Sequence, residues 1–133
     1  MHAAMSERVT VFLQSASFES TYQAATLALT AAAMGDTVWV VLGFAPLRAL
    51  AVGRLGAPTG EQEEEEAQRA EALGMPAPAD LLSEARALGA RVVACDTLVR
   101  IAGLEPGAAT QLDESLGLPS IWRHARAGRT VTF

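Results

Sequence analysis

The sequence predicts an α/β fold in which a mostly parallel sheet is covered by helices on both faces. Short apolar runs alternate with longer segments whose apolar residues recur at helical spacing. The run Thr37–Leu42 is almost continuously apolar, which is typical of a strand buried on both faces. Short connections in a β-α-β order favour parallel strands. At 133 residues the chain is expected to form one domain.

The first half of the chain begins with a strand and a long helix. Val9–Leu13 is predicted as strand one, and the polar residues Gln14–Ser17 end it. A helix is predicted over Phe18–Met34, with Gly35 as its C′ residue, because one face carries Tyr22, Ala25, Leu29 and Ala32. Thr37–Leu42 is strand two.

The middle of the chain is predicted to be helical and rich in glycine. Gly43–Pro46 breaks strand two, and Leu47–Val52 is predicted as a short helix. A capping box with Thr59 as N-cap and Gln62 at N3 predicts a helix over Gly60–Leu73. Within it, the run Glu63–Glu66 is interpreted as a solvated face, with a metal or a basic partner as the alternative.

The second half repeats the strand and helix pattern. Pro78–Leu88 is predicted as a helix, Arg91–Ala94 as strand three, and Asp96–Ala102 as a short helix closed by Gly103. The segment Pro106–Leu116 is ambiguous, and we expect a loosely helical segment with at most one short strand. The chain then ends with a predicted helix over Pro119–Ala127 and a last strand over Arg129–Phe133.

Composition excludes several classes of function. The net charge is −5 and every basic residue is arginine, so there is no P-loop lysine and no Schiff-base lysine. The acidic balance argues against nucleic acid as a partner. One cysteine excludes an intrachain disulfide, and two histidines make a zinc site improbable, so we expect no metal and no cofactor.

Apolar content and targeting signals bear on assembly and location. Half of the residues are hydrophobic and 19% are charged, which favours burial of surplus apolar surface in a homo-oligomer. Residues 1–8 lack the features of a signal peptide, and the longest apolar stretches are too short to span a bilayer. A cytoplasmic protein with no membrane partner is the expectation.

Cys95, the only cysteine, follows predicted strand three and precedes a predicted short helix. Ligands bind at the carboxyl ends of strands in open α/β sheets, and helix N-terminal N–H groups favour a thiolate. We therefore expect an accessible or near-accessible thiol that faces a pocket at this edge. The alternative is a structural cysteine, since free cysteine often behaves as a small buried hydrophobe.

Four segments of the chain, Ala31–Phe44, Leu47–Leu50, Ala87–Gly103 and Thr130–Phe133, resemble the DsrE/DsrF-like family. The segment Ala31–Phe44 is similar to a family segment in which a helix is followed by glycine, an apolar strand and phenylalanine. Leu47–Leu50 is similar to the short leucine-containing turn that comes next in that family. Ala87–Cys95 followed by Gly103 resembles its strand, Ala-Cys and glycine signature, and Thr130–Phe133 its last strand. The resemblance covers nearly the whole chain, although Gly53–Met75 is longer than in the simplest members and the fourth strand is indistinct.

The resemblance implies a three-layer α/β/α sandwich around a five-stranded parallel sheet, assembled as a trimer or hexamer. It also implies that Cys95 is the position at which sulfur-relay members carry a persulfide, and that sulfur donor and acceptor proteins are partners. Many relatives keep the fold without an established activity, so the resemblance alone does not assign sulfur transfer.

Six residues near the predicted edge are candidate binding residues beside Cys95. Asp96 disfavours a neighbouring thiolate and is expected to cap the short helix instead. Ser17 is expected to cap the first long helix, and Arg100 to form a surface ion pair. The remaining candidates are Ser15, Gly43 and Phe44, of which Phe44 either walls the cysteine pocket or packs at an interface.

Other polar and aromatic side chains receive structural interpretations. His124 has no identifiable catalytic partner, so a partly exposed helical histidine is expected. Trp39 and Trp122 are interpreted as core or interface anchors.

Three hypotheses of different classes follow. The protein is a sulfur carrier that uses Cys95, a small-molecule or anion-binding module at the strand ends, or an oligomeric subunit without chemistry of its own. In the second case the Gln14–Ser17 loop would carry the site, although it lacks a nucleotide-binding glycine motif.

Overall fold

A computed structural model describes residues 6–104 and 111–133 and confirms the α/β prediction. Its five strands form one parallel sheet in the order β4-β3-β2-β1-β5. The strands are β1 (Arg8–Leu13), β2 (Thr37–Leu42), β3 (Arg91–Cys95), β4 (Glu114–Leu116) and β5 (Arg129–Thr132). The helices are α1 (Phe18–Ala33), α2 (Phe44–Ala51), α3 (Glu61–Ala72), α4 (Pro78–Ala87), α5 (Asp96–Ile101) and α6 (Leu118–Arg126).

The first face of the sheet carries the larger core. Alternate residues of the central strands point to this face, as the pleat requires, among them Val11, Val40 and Val92. The helices α1 and α4 cover it side by side. Small residues line the buried side of α1, which lets it lie close to the sheet and to α4; they are Ala24, Ala25, Ala28, Ala31 and Ala32.

The second face has a smaller core. Val41, Val93, Cys95 and Ile121 form its buried cluster, and the half-buried Phe12, Trp39, Leu98 and Leu116 pack against it. The helix α6 lies on this face, where it contacts β1 and β5. The layers on the two sides of the sheet are therefore unequal, with the thicker layer on the α1 and α4 side.

The ambiguous segment contains a strand. β4 is short and polar, but Asp113 fastens its start to β3: the Asp113 carboxylate accepts a hydrogen bond from Val92 N at 2.6 Å and pairs with Arg86 of α4 at 2.7 Å. The expected helical character is absent from residues 111–116, and the rest of that prediction falls on residues 105–110, outside the described ranges.

Two helix starts differ from the predictions. α2 begins three residues earlier than expected, at Phe44, because Pro46 fits within the first helical turn. The capping box is wrong: Gly60, not Thr59, is the N-cap of α3, and the Thr59 side chain donates to Glu63 instead.

Among the helices of the described residues, none combines the length and apolarity needed to cross a membrane.

Candidate functional site

The carboxyl ends of β1, β2 and β3 lie side by side. Leu13 is in register with Leu42, and Leu42 with Ala94, so the next residues along each strand are Gln14, Gly43 and Cys95. Neighbouring strands are about 4.8 Å apart, which places these three backbones in one short row. The prediction that the strand ends bring Cys95 and the residues after strands one and two to one edge is confirmed.

Cys95 occupies a junction of strand and helix. It is the last residue of β3 and the N-cap of the six-residue helix α5, with extended backbone angles of φ −72° and ψ 131°. The residue is only 8% exposed, and its side chain belongs to the apolar cluster with Val41, Val93 and Ile121. The predicted location is thus correct, but the thiol is packed against apolar side chains rather than open to solvent.

Gln14, which begins the loop expected to carry a small-molecule site, lies at this edge. The pleat puts Gln14 on the same face as Phe12, which is the face that Cys95 occupies. Its carboxamide oxygen lies over Gly43, in the space that a β-carbon at position 43 would need. Glycine at position 43 therefore lets a polar side chain from β1 reach across β2 in the direction of β3.

The two candidates on α5 have different surroundings. Asp96 is the first residue of α5, and its carboxylate accepts a hydrogen bond from the hydroxyl of Ser115, the middle residue of β4. The prediction that Asp96 caps α5 is wrong, because Cys95 takes the N-cap position. Arg100 is exposed on the last turn, and no described residue forms the expected ion pair with it.

The two serines after β1 bond to each other and to the backbone. Ser17 is the N-cap of α1 and accepts a hydrogen bond from Ser20 N at 3.1 Å, as predicted. The Ser15 hydroxyl donates to Ser17 Oγ at 3.1 Å and accepts from Ser17 N at 3.2 Å. Both hydroxyls therefore stabilise the turn into α1.

Gly43 and Phe44 form the turn after β2. Gly43 N donates to the Leu13 carbonyl at 2.8 Å, which extends the β1–β2 pairing by one bond. Phe44 is the first residue of α2 and is exposed, and its role as a pocket wall or as an interface contact stays a prediction.

Glu63 is buried, so the interpretation of the acidic run as a solvated face is wrong at this residue. The acidic run was interpreted as a solvated face, and Glu64 and Glu65 are indeed exposed, but Glu63 is only 6% exposed. Its carboxylate accepts hydrogen bonds from the first two N–H groups of α1, those of Phe18 at 3.2 Å and Glu19 at 2.9 Å. An internal anion thus occupies the N-terminus of α1, beside the serine turn.

His124 lies deeper than expected. It is only 4% exposed, its ring stacks on Trp39 with centroids 4.0 Å apart, and Nδ1 lies 2.8 Å from the Thr10 hydroxyl. Nε2 is buried and has no hydrogen-bond partner among the described residues. Burial, followed by the positive charge of Arg8, lowers the pKa of His124 below its ordinary value of 6.5, and the nearby backbone of Thr37 acts in the opposite direction.

His124 and Cys95 share a face of the sheet but not a site. Trp39 is in register with Arg91, four residues before Cys95 on β3, which separates the two levels by about 13 Å along the strand. The histidine therefore has a packing role on the buried side of α6, and the signal that could have revealed it is the apolar spacing of Ile121 and Ala125 on either side of it in the sequence.

Within the described ranges, no three histidine, cysteine or acidic side chains are grouped so as to hold a metal ion. Comparison with known proteins adds no assignment, since neither a protein-family model nor a curated protein matches this chain.

We predict that the stability of the fold depends on the neutral form of His124. Because its pKa is lowered on folding, the unfolded chain takes up the proton first, and the free energy of unfolding should fall as the pH drops below 6.5. Urea denaturation at about pH 8 and about pH 5.5 measures this loss.

The variant His124→Gln should show a smaller loss over this pH interval. The variant His2→Gln, which removes the only other histidine, is the matched control and should keep the wild-type dependence. Equal pH dependence in His124→Gln and in the wild-type protein would contradict the assignment.

Proposed function

We propose that this protein is a carrier of sulfane sulfur that holds it on Cys95. The observation that carries the proposal is the position of the only cysteine, at the carboxyl end of β3 and at the N-cap of α5. The resemblance to DsrE/DsrF-like proteins supports the same proposal, because the pair Ala94-Cys95 matches the position at which sulfur-relay members carry a persulfide. We further propose the cytoplasm as its compartment, since a free thiol is kept reduced there.

The transfer step that we propose is an exchange between thiolate and persulfide. The Cys95 thiolate attacks the outer sulfur of a donor persulfide, a new S–S bond forms at Cys95, and the donor S–S bond breaks. The donor leaves as a thiolate with the electron pair, so no external oxidant or reductant is needed. The second half of the cycle repeats this exchange with an acceptor thiolate, which removes the outer sulfur and regenerates the Cys95 thiolate.

The surroundings of Cys95 suggest how such a group would be held. The N–H groups of the first turn of α5 are donors for a negative charge at the N-cap, and the Gln14 carboxamide lies one strand away over Gly43. The buried packing of Cys95 against Ile121 of α6 shields the sulfur from water between transfers. A donor then reaches the thiol from the carboxyl edge, because Cys95 is the last residue of β3.

A homo-oligomer, a trimer or hexamer, is the assembly that we propose. On α6, Leu118 and Trp122 are one helical turn apart and are 62% and 60% exposed. An exposed tryptophan and leucine on one helix face, over the thinner layer of the molecule, form a surface that association would cover.

A second candidate function is the binding of a small polar molecule, and a cavity favours it. The cavity has a volume of about 260 Å³ and lies along α4, where its lining includes Thr21, Ser83 and Arg86. The Thr21 hydroxyl is buried and has no hydrogen-bond partner among the described residues, which is a cost that a ligand would relieve. Thermal stabilisation by a nucleotide or a small anion that Thr21→Val abolishes would support this candidate.

Incubation with a small-molecule persulfide should load Cys95 with one sulfur atom. Intact mass spectrometry should show the mass of one added sulfur per chain, and a thiol reductant should remove it. The variant Cys95→Ser should take up none while keeping the wild-type circular dichroism spectrum. A folded wild-type protein that gains no sulfur, or a Cys95→Ser variant that gains as much as wild type, would overturn the proposal.

Substitution of Trp122 should weaken self-association. We expect the wild-type protein to scatter light with the mass of a trimer or hexamer at micromolar concentration, and Trp122→Ala to shift this mass toward the monomer. The matched control is Leu88→Ala, which truncates another exposed apolar residue, at the end of α4. A monomeric wild-type protein, or equal masses for both variants, would contradict the proposed interface.

A further inference from the structure

The helix α3 is attached to the rest of the protein in an unusual way. Most helices in globular proteins are held by an apolar face, but Glu63 is the only buried residue of α3 and it is charged. The outward side of α3 is acidic and exposed, with Glu61, Glu64 and Glu65. Hydrophobic burial therefore contributes little to the position of this helix.

A cluster of hydrogen bonds replaces the apolar face. Glu63 Oε1 accepts from Phe18 N at 3.2 Å, and Oε2 accepts from Glu19 N at 2.9 Å, so the carboxylate caps α1 from another element. The N–H and the hydroxyl of Thr59 also donate hydrogen bonds to Glu63 Oε1, at 2.9 Å and 2.8 Å respectively. One carboxylate therefore ties α3 to the segment before it and to the positive end of the α1 dipole.

The charge of Glu63 is essential to this contact. Burial raises the pKa of Glu63, but the hydrogen bonds from Glu19, Thr59 and Phe18 outweigh it and lower the pKa to about 2. The group is thus ionised at neutral pH, and hydrogen bonds to a charged acceptor are about twice as strong as neutral ones.

The carboxyl groups of Glu19 and Glu66 meet across the boundary between α1 and α3. Glu66 lies one turn after Glu63 and faces Glu19 of α1; hydrogen bonding with Glu66 and then the negative charge of Glu66 raise the pKa of Glu19. Glu66 Oε1 is buried without a hydrogen-bond partner among the described residues. When both groups are ionised, they repel each other across the boundary between α1 and α3.

The space beneath α3 is incompletely filled. A cleft of about 440 Å³, partly open to solvent, lies between α3 and the start of α4, and its lining includes Phe18, Ala70 and Met75. Both ends of α3 have a glycine in the left-handed region, Gly60 at φ 88° and Gly74 at φ 75°. A β-carbon at Gly60 or Gly74 would meet nothing within 4 Å, so neither glycine is packed against another element, and element-terminal positions of this kind can absorb the rotation of a hinge.

We propose that α3 is a lid that the Glu63 carboxylate latches onto the N-terminus of α1, and that it opens as a unit about Gly60 and Gly74. Opening uncovers Phe18 and the N–H groups of the first turn of α1, at the carboxyl edge of the sheet. The proposal stands apart from sulfur transfer, because Glu63 and Cys95 lie on different elements and neither contacts the other in the interactions described above.

Native-state hydrogen exchange on the wild-type protein is the first test. At low denaturant, the amides of α3 should exchange through an opening that leaves β1, β2 and the second half of α1 protected. If the α3 amides exchange only together with those of β1, the lid does not open on its own and the proposal fails.

Three variants with the same change of charge form the second test. Glu63→Gln should accelerate exchange in α3 and the first turn of α1 by about tenfold, as expected for a lost charged cap. Glu66→Gln should slow it, because the repulsion with Glu19 is removed. Glu64→Gln, exposed on the same helix, should leave it unchanged.

The signs of these effects decide the proposal. Opposite effects of Glu63→Gln and Glu66→Gln, confined to α3 and the start of α1, support the latch. Equal rates in all three variants, acceleration in both Glu63→Gln and Glu66→Gln, or acceleration spread over the whole chain would overturn it.

Discussion

Close packing of α1 through its alanines is the constraint on which the rest of the structure depends. Small side chains let α1 lie against both the sheet and α4, and this three-way contact forms the larger of the two cores. The buried face of the helix has no room for large residues, since Ala25 and Ala28 are almost completely buried. The N-terminus of α1 is consequently held at one place on the sheet edge, and the serine turn and Glu63 are organised around it.

The unequal layers explain where chemistry and assembly are expected. The α1 and α4 side of the sheet is thick and well covered. The Glu63 carboxylate on this side attaches α3 to the start of α1. On the other side, α6 and Leu98 of α5 pack over a small cluster that includes Cys95 and Ile121, and α6 leaves Trp122 and Leu118 exposed. The proposed sulfur position and the proposed interface thus belong to the same thin layer of the molecule.

The regular elements could be predicted because their signals are local. The apolar run of β2 and the bounds of α1 are properties of contiguous sequence, and the structure follows them to within a residue. The predicted face of α1 is displaced, because Tyr22 and Leu29 are half-buried and the alanines between them are buried. β4 lacks such a signal, because it is only three residues long and polar. Its pairing with β3 depends on Asp113, the residue before the strand, whose carboxylate accepts a hydrogen bond from Val92 N. No periodicity in the segment itself encodes that contact.

The site residues were predictable in position but not in environment. Placing Cys95 at a strand end required only the order of strand and helix, whereas its burial depends on Ile121, which is 26 positions away in the chain. The burial of Glu63 could not be predicted for the same reason, since its hydrogen-bond partners Phe18 and Glu19 are more than 40 residues earlier in the chain. A run of four glutamates looks uniform in sequence, and tertiary contacts alone distinguish its members.

The place of β5 in the sheet has a consequence for how the protein is made. β5 pairs with β1, so the first and last strands of the sheet are neighbours although nearly the whole chain lies between them. During synthesis β1 can pair with β2 early, but its other edge has no partner until residues 129–132 leave the ribosome. A strand edge of Val9 and Val11 is exposed during that interval, so the nascent chain can associate through this edge until β5 pairs with it.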